Sequence, residues 1–280
     1  MSAIDLQDSL TERAQGLAAT VVIEVRDLDA HYGHNQILFG LSLAVYDGEI
    51  MVIMGGSGSG KSTLLRHLIG LENPSAGSLE LLGLDLGRLG PIELMDLRRK
   101  MGVAFQGGAM FSSMTVAENL KLPLREHTKL DEKTMDIMVQ MKLEVVNLSG
   151  FGELMPAELS GGMLKRAAVA RAIIMDPKLL FFDEPSAGLD PIISAALDEM
   201  ILRLRDAMEM TIVVVTHEVE SALKIADRIT ILDAGRIVEV DTPGAIRKSS
   251  NPRVQNLLNR RPEEDKLDPV EYLRRLTGSG

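Results

Sequence analysis

Gly55-Gly56-Ser57-Gly58-Ser59-Gly60-Lys61-Ser62-Thr63 fits the pattern G-x-x-x-x-G-K-[ST] of a phosphate-binding loop. Its glycines reach backbone conformations closed to other residues, so successive N–H groups can turn inward around a polyphosphate. Lys61 adds a cation. The flanks agree with this chemistry: residues 50–54 are a short apolar run expected as a buried strand, and a helix is expected over 61–69 with its N-terminus aimed at the phosphates. Ser62, a hydroxyl next to the lysine, is placed to ligate the Mg²⁺ that bridges phosphate oxygens. A flexible glycine-rich linker has no reason to lie between a strand and a helix or to end in Lys-Ser-Thr. The stretch names a nucleoside triphosphate as ligand.

The 280 residues can hold one large α/β domain with a subdomain, or two small domains, and a hydrophobic content of 45% suffices for a full core. Lys and Arg total 30 against 40 Asp and Glu, a formal charge of −10 that argues against broad nucleic-acid binding. Cysteine is absent, which excludes disulfides and thiolate metal sites and fits a reducing compartment. Residues 1–20 carry Asp5, Asp8 and Glu12 without a basic start before an apolar run, so they read as a tail and not as a signal peptide. No run approaches the ~18 uninterrupted apolar residues of a membrane span. We therefore expect a chain that does not cross a bilayer by itself.

Apolar runs predict strands over 21–25, 41–45, 78–82, 102–105, 179–182, 211–215, 228–232 and 236–240. Tyr32 is expected just outside the first strand, where it could stack on an adenine ring; taken alone, an exposed tyrosine is more often a plain surface residue. Helices are expected over 91–99, 115–120, 130–141, 143–148, 160–175 and 191–208, with another starting at Thr216-His217-Glu218. Those between about 107 and 175 read as an inserted helical subdomain. Within it Ser160 is an expected N-cap, and Gly161 and Gly162 leave backbone N–H groups free, a second anion site at a helix start. The domain is expected to close near Pro262. The residues from 263 to 280, with Val270, Leu273 and Leu276 near one face, read as either a disordered tail or a partner-binding helix.

Four polar features each follow directly on an apolar run: the loop at Gly55, Gln106, Asp183-Glu184 and His217. Continuous apolar strands alternating with helices imply a parallel sheet covered on both faces, whose ligand site lies at the carboxyl ends of its strands. All four features should converge there. Asp183 suits a Mg²⁺ carboxylate, and Glu184 the base that orients or deprotonates an attacking water. His217 and Gln106 can reach the γ-phosphate, the water or the metal. Singly, Asp183-Glu184 reads as well as a solvated turn, and His217 as a helix cap or core histidine. The phosphate loop tips the balance toward the catalytic reading.

These residues together resemble an ATP-binding cassette (ABC) ATPase over about 21–262. Tyr32 matches the adenine-stacking aromatic, Gly55 to Thr63 Walker A, Gln106 the Q-loop and Leu159-Ser160-Gly161-Gly162 the signature. Asp183-Glu184 matches Walker B, Ser186 to Asp190 the D-loop and His217 the switch histidine. The resemblance implies an α/β P-loop NTPase fold of the ABC type: a mixed β core with a RecA-like parallel sheet and an inserted α-helical subdomain. It also implies ATP and Mg²⁺ as cofactors and a head-to-tail homodimer. Ser160, Gly161 and Gly162 would then act on the partner's nucleotide, with Asp190 coupling the sites.

One departure stands out: the usual signature ends in Gln, and this chain has Met163. The anion site rests on the serine and glycines, so binding should survive. Met163, together with residues 105–111, 115–119 and 122–124, is similar to the subgroup that energises lipid transporters, such as the phospholipid-moving Mla-type systems of Gram-negative bacteria. That likeness implies a homodimer beneath an integral-membrane permease at the cytoplasmic face of the inner membrane. It further implies a periplasmic lipid-binding subunit, a small STAS-domain protein and a C-terminal tail that can embrace the opposite copy. The alternatives are the same enzyme driving a small solute, a soluble ABC protein outside transport, and a nucleotide-binding regulator that does not hydrolyse. The Met-ended signature and the stretch from Gly107 to Phe111 disfavour the first. The single uninterrupted cassette disfavours the second, and intact Glu184 and His217 the third.

Overall fold

The strand that precedes the phosphate loop is buried at every position, which a strand can be only when both faces of its sheet are covered. The computed structural model describes residues 20–260, and within them two sheets account for that burial. The first pairs β1 (Val21–Tyr32) with β2 (Asn35–Tyr46). The loop strand is β3 (Ile50–Met54), after which β4 (Ala76–Leu81) and β5 (Leu84–Asp85) complete a four-stranded sheet of order β2-β1-β4-β5. The second sheet contains β3, β6 (Met101–Ala104), β7 (Leu179–Asp183), β8 (Thr211–Thr216), β9 (Arg228–Asp233) and β10 (Arg236–Asp241), in the order β10-β9-β3-β8-β7-β6. Its neighbours are parallel from β9 to β6, and only the β10–β9 hairpin is antiparallel.

The helices are α1 (Lys61–Leu68), α2 (Pro91–Arg98), α3 (Val116–His127), α4 (Glu132–Val145), α5 (Gly161–Ala172), α6 (Pro191–Met208), α7 (Val219–Ile225), α8 (Pro243–Arg247) and α9 (Pro252–Leu258). Alternation along β3 divides the interior in two, because successive side chains of a strand point to opposite faces. Ile50, Val52 and Met54 join a core with residues of α3, α4, α5, α6 and α7. Met51 and Ile53 join another with α1 and the four-stranded sheet. The parallel sheet is thus covered by helices on one face and by a second sheet and α1 on the other.

Several expected boundaries shift. Tyr32 lies inside β1, not beyond it, because the pairing with β2 continues to Tyr32↔Asn35 across a two-residue turn. The helix expected over 115–120 runs on as α3 through Pro123 to His127. An interior proline costs about 3 kcal/mol, and the burial of Leu120 and Leu124 one turn apart offsets it. The two helices expected over 130–148 are one: Met135, Val139 and Leu143 recur at helical spacing against a single core, and α4 ends before Asn147, which takes a left-handed backbone. Thr216 closes β8 and starts no helix; α7 begins at Val219, leaving His217 in the joint. The tail expected at 1–20, save Thr20, and that expected at 263–280 lie outside the described residues.

Candidate active site

Strand β3 delivers the chain at Gly55, where a Cβ would stand 2.2 Å from the Leu232 carbonyl oxygen and 2.5 Å from Ser59 Oγ, so only glycine fits. Gly60, at φ +101°, then turns the chain into α1 as its N-cap. No side chain caps this helix and no acidic residue occupies its first turn. Its leading N–H groups are therefore available to an anion, aided by the helix dipole. Ser59 Oγ is buried without a hydrogen-bond partner, an orphan that a polar ligand at the loop would satisfy. Lys61 is buried too, and its ammonium donates to the carbonyls of Gly55 (2.8 Å) and Gly56 (2.9 Å). Burial lowers its pKa, while Glu184 and Asp183 pull it back up. Ser62, next in the helix, is exposed. A cavity of about 430 Å³ flanks the loop, lined by Gly56 to Ser59 together with Leu232 and Asn256, within the size range of small-molecule sites.

Parallel register levels the strand ends: Met54 lies opposite Thr216, Asp183 opposite Val215 and Ala104 opposite Phe182. Gly55, Glu184, His217 and Gln106 accordingly leave the sheet along one edge. Glu184 Oε2 accepts from Thr216 Oγ1 (3.2 Å) and from the His217 amide (3.3 Å), and lies 2.9 Å from His217 Nδ1. Its own backbone is left-handed, at φ +47°. Asp183 beside it is half-buried; desolvation pushes its carboxyl pKa up, the Glu184 charge adds to this, and Lys165 and Lys61 oppose it. Gln106 is exposed, and its carbonyl accepts from the Lys165 ammonium. A carboxylate fixed between a hydroxyl and an imidazole, on an edge that also carries a second carboxylate and the Lys61 ammonium, has the chemistry to order a water for attack on a terminal phosphate.

The remaining expected residues lie elsewhere. Tyr32 is exposed, and its hydroxyl donates to Glu72 (3.1 Å), which also accepts from Arg66 of α1 (2.9 Å). Ser160 caps α5, its Oγ accepting from the Met163 amide at 3.3 Å. Gly162 is buried, with Ile193 Cγ2 only 2.7 Å from where a Cβ would be. Asp190 caps α6, accepting from the Ile192 and Ile193 amides at 3.0 Å each. Among the described residues no hydrogen bond joins Ser160, Gly161 or Gly162 to the phosphate loop. The sequence reading missed Thr216 and Lys165, both of which touch Glu184; a lysine amid the alanines of α5 was the available signal for the second.

A family model described as ABC transporter matches residues 38–187. The intermembrane phospholipid transport system ATP-binding protein MlaF of Haemophilus influenzae is 43% identical over 237 residues, 85% of this chain and 90% of that protein. The probable ribonucleotide transport ATP-binding protein mkl of Mycobacterium leprae is 39% identical over 241 residues, 86% of this chain and 70% of its own length. Among solved structures, the dimeric post-hydrolysis state of the ATP-binding cassette MJ0796 bound to ADP and Pi is similar with a TM-score of 0.73. Its sequence identity is 28%, and the match covers 79% of this chain and 98% of that one.

Proposed function

The chain belongs to the ABC transporter family and is an ATPase, and on that premise we propose that it is the subunit that powers the movement of phospholipids between the inner and outer membranes of a bacterium. The observation that carries the hydrolytic part is the Glu184 carboxylate held 2.9 Å from His217 on the edge that also bears Lys61. The lipid part rests on the 43% identity to a phospholipid transport ATP-binding protein across 90% of that relative. A small-solute transporter is the second reading, favoured by the mycobacterial relative named for ribonucleotide transport.

In this reading the loop amides and Lys61 hold the β- and γ-phosphates of ATP, and Tyr32 stacks on the adenine. Ser62, Asp183 and Gln106 hold Mg²⁺. Among the described residues no cluster of three His, Cys, Asp or Glu could bind a metal alone, which suits an ion that takes few protein ligands and completes its shell with phosphate oxygens and water. When bound, Mg²⁺ offsets the charge that develops on the phosphate oxygens. Glu184 orients or deprotonates the attacking water, and His217 keeps both the carboxylate and the terminal phosphate in register. Ser160, Gly161 and Gly162 of a second copy close over the nucleotide, and Asp190 links the two sites. Residues 21–262 form the ATP-binding domain, with 107–175 as its helical subdomain.

No helix among the described residues is long and apolar enough to cross a membrane. We place the homodimer at the cytoplasmic face of the inner membrane, beneath an integral permease, with a periplasmic lipid-binding subunit and a small STAS-domain protein. The test is to purify the chain from detergent-solubilised membranes and identify its companions and bound lipid by mass spectrometry. Recovery of a permease, a periplasmic lipid-binding subunit and phospholipid is the expected result. Recovery with a solute permease, or alone, overturns the lipid assignment and leaves the ATPase standing.

A further inference from the structure

Helix α5 starts at the Ser160 corner and reaches back to the sheet edge through two cations. The half-buried Lys165 ammonium donates to the carbonyl of Gln106 and, at 3.3 Å, to that of Glu184. Six residues on, Arg171 donates to the carbonyls of Ala109 (2.6 Å) and Gly108 (3.1 Å). Four backbone acceptors, drawn from the two segments that bear Gln106 and Glu184, thus end on one helix. Exposed ion pairs of charged side chains are cheap to lose; cations set against carbonyls in a half-buried seam instead fix where the backbone runs.

Two of those carbonyls belong to residues that need fixing. Glu184 and Ala109 are not glycines, yet they sit at φ +47° and +49°. Such conformations persist only where the surroundings over-determine them. At Glu184 the amide donates to Val215 O (2.8 Å) and the carboxylate is held by Thr216 and His217. These fastenings come from β8 and the joint after it. The carbonyl accepts from the Ala187 amide of its own turn (3.2 Å), and its one fastening to a helix comes from Lys165 of α5 (3.3 Å).

We propose that Lys165 is a positioning residue for hydrolysis: its ammonium ties the helix that begins at Ser160 to the backbone of both Gln106 and Glu184, so that these two groups are aligned only when α5 is seated on the sheet edge. The inference rests on the ATPase reading above. Seating α5, whose start would contact the partner's nucleotide, would then set the geometry of the chain's own water-activating carboxylate.

The experiment uses the full chain, purified with the membrane subunits that accompany it. Lys165→Met keeps the unbranched apolar stem and removes the donors. The turnover number should fall between about 10- and 100-fold, the scale of a small misplacement of catalytic groups. Affinity for a fluorescent ATP analogue should stay within about twofold, since the loop is untouched. Amide hydrogen exchange should quicken over 105–111 and not over 55–63, and Lys165→Arg should recover half or more of the turnover. If Lys165→Met does not fold, Lys165→Leu, which also lacks a donor, carries the same readouts. Unchanged turnover overturns the proposal, as does loss of turnover and affinity together without rescue by arginine. A wild-type preparation without ATPase activity would instead overturn the reading on which the proposal rests.

Discussion

Helices α1 and α5 begin alike, with glycine at or beside the start and no acidic residue in the first turn, yet they are finished differently. At α1 no side chain caps the amides, Lys61 and Ser59 are buried around them, and the loop shares an edge with Asp183 and Glu184. At α5 Ser160 already accepts from an amide of its own helix, Ser160 and Gly161 are exposed, and Gly162 packs on Ile193. We propose that both are anion sites, by the physics of a helix N-terminus. One is enclosed by its own chain, and the other faces outward. That contrast fits a reaction centre completed by a second copy, which is how we propose the chain works.

The comparison is broken most severely at Glu184. If the α1 side holds the whole hydrolytic apparatus, Glu184→Gln should lower turnover by about 10²–10⁴-fold, the range for a positioned general base. The amide can still accept from Thr216 and His217, so ATP affinity should change little. A trapped dimer should appear by size-exclusion chromatography with ATP. Normal turnover in this variant would remove Glu184 from its role and leave the enclosed site as a binding pocket only.

A milder experiment asks whether the α5 corner serves its own chain or another. Two copies are joined in one polypeptide, with Lys61→Ala in the first and Ser160→Arg in the second. If each corner completes the other copy's loop, both lesions fall in one site and the other stays whole, so about half of the activity should survive where the sites turn over independently. If each chain used its own corner, both sites would carry a lesion and activity would vanish. Steady-state ATPase assays of the tandem protein separate the two.

How much of this was legible depended on the distance over which each constraint acts. The phosphate loop could be read because its requirements are local: glycines, a lysine and a hydroxyl at fixed spacing between a strand and a helix. The common edge followed from the apolar strands, since parallel register levels their ends. Lys165 stands out only as a lysine amid alanines; its role was not legible because its acceptors lie 59 and 19 residues away, and nothing in the spacing announces a backbone carbonyl as a partner. The helix expected over 115–120 extends through Pro123 because the burial of Leu120 and Leu124 outweighs the local cost of a proline. The single helix α4 was split in the reading for the same reason: the core against which Met135, Val139 and Leu143 align is not local in sequence.

The smallest effect sharpens how far the enclosed side extends. Tyr32 stands at the end of β1, with its hydroxyl on Glu72 and Glu72 on Arg66 of the loop helix. If its ring carries the adenine, Tyr32→Phe keeps the stacking face and loses only an exposed hydrogen bond, worth about 0.5–1.5 kcal/mol at most. ATP affinity should then weaken by no more than about tenfold, and Tyr32→Ala should cost more, because base stacking on an aromatic is worth roughly 1–3 kcal/mol. Titration of both variants with ATP and with inorganic triphosphate distinguishes the contributions, since triphosphate has no base to stack and its affinity should not respond to Tyr32→Ala. Equal losses in the two variants would assign Tyr32 to ordering Glu72 and Arg66 beside the loop, and would leave the nucleotide base without a platform on this side of the molecule.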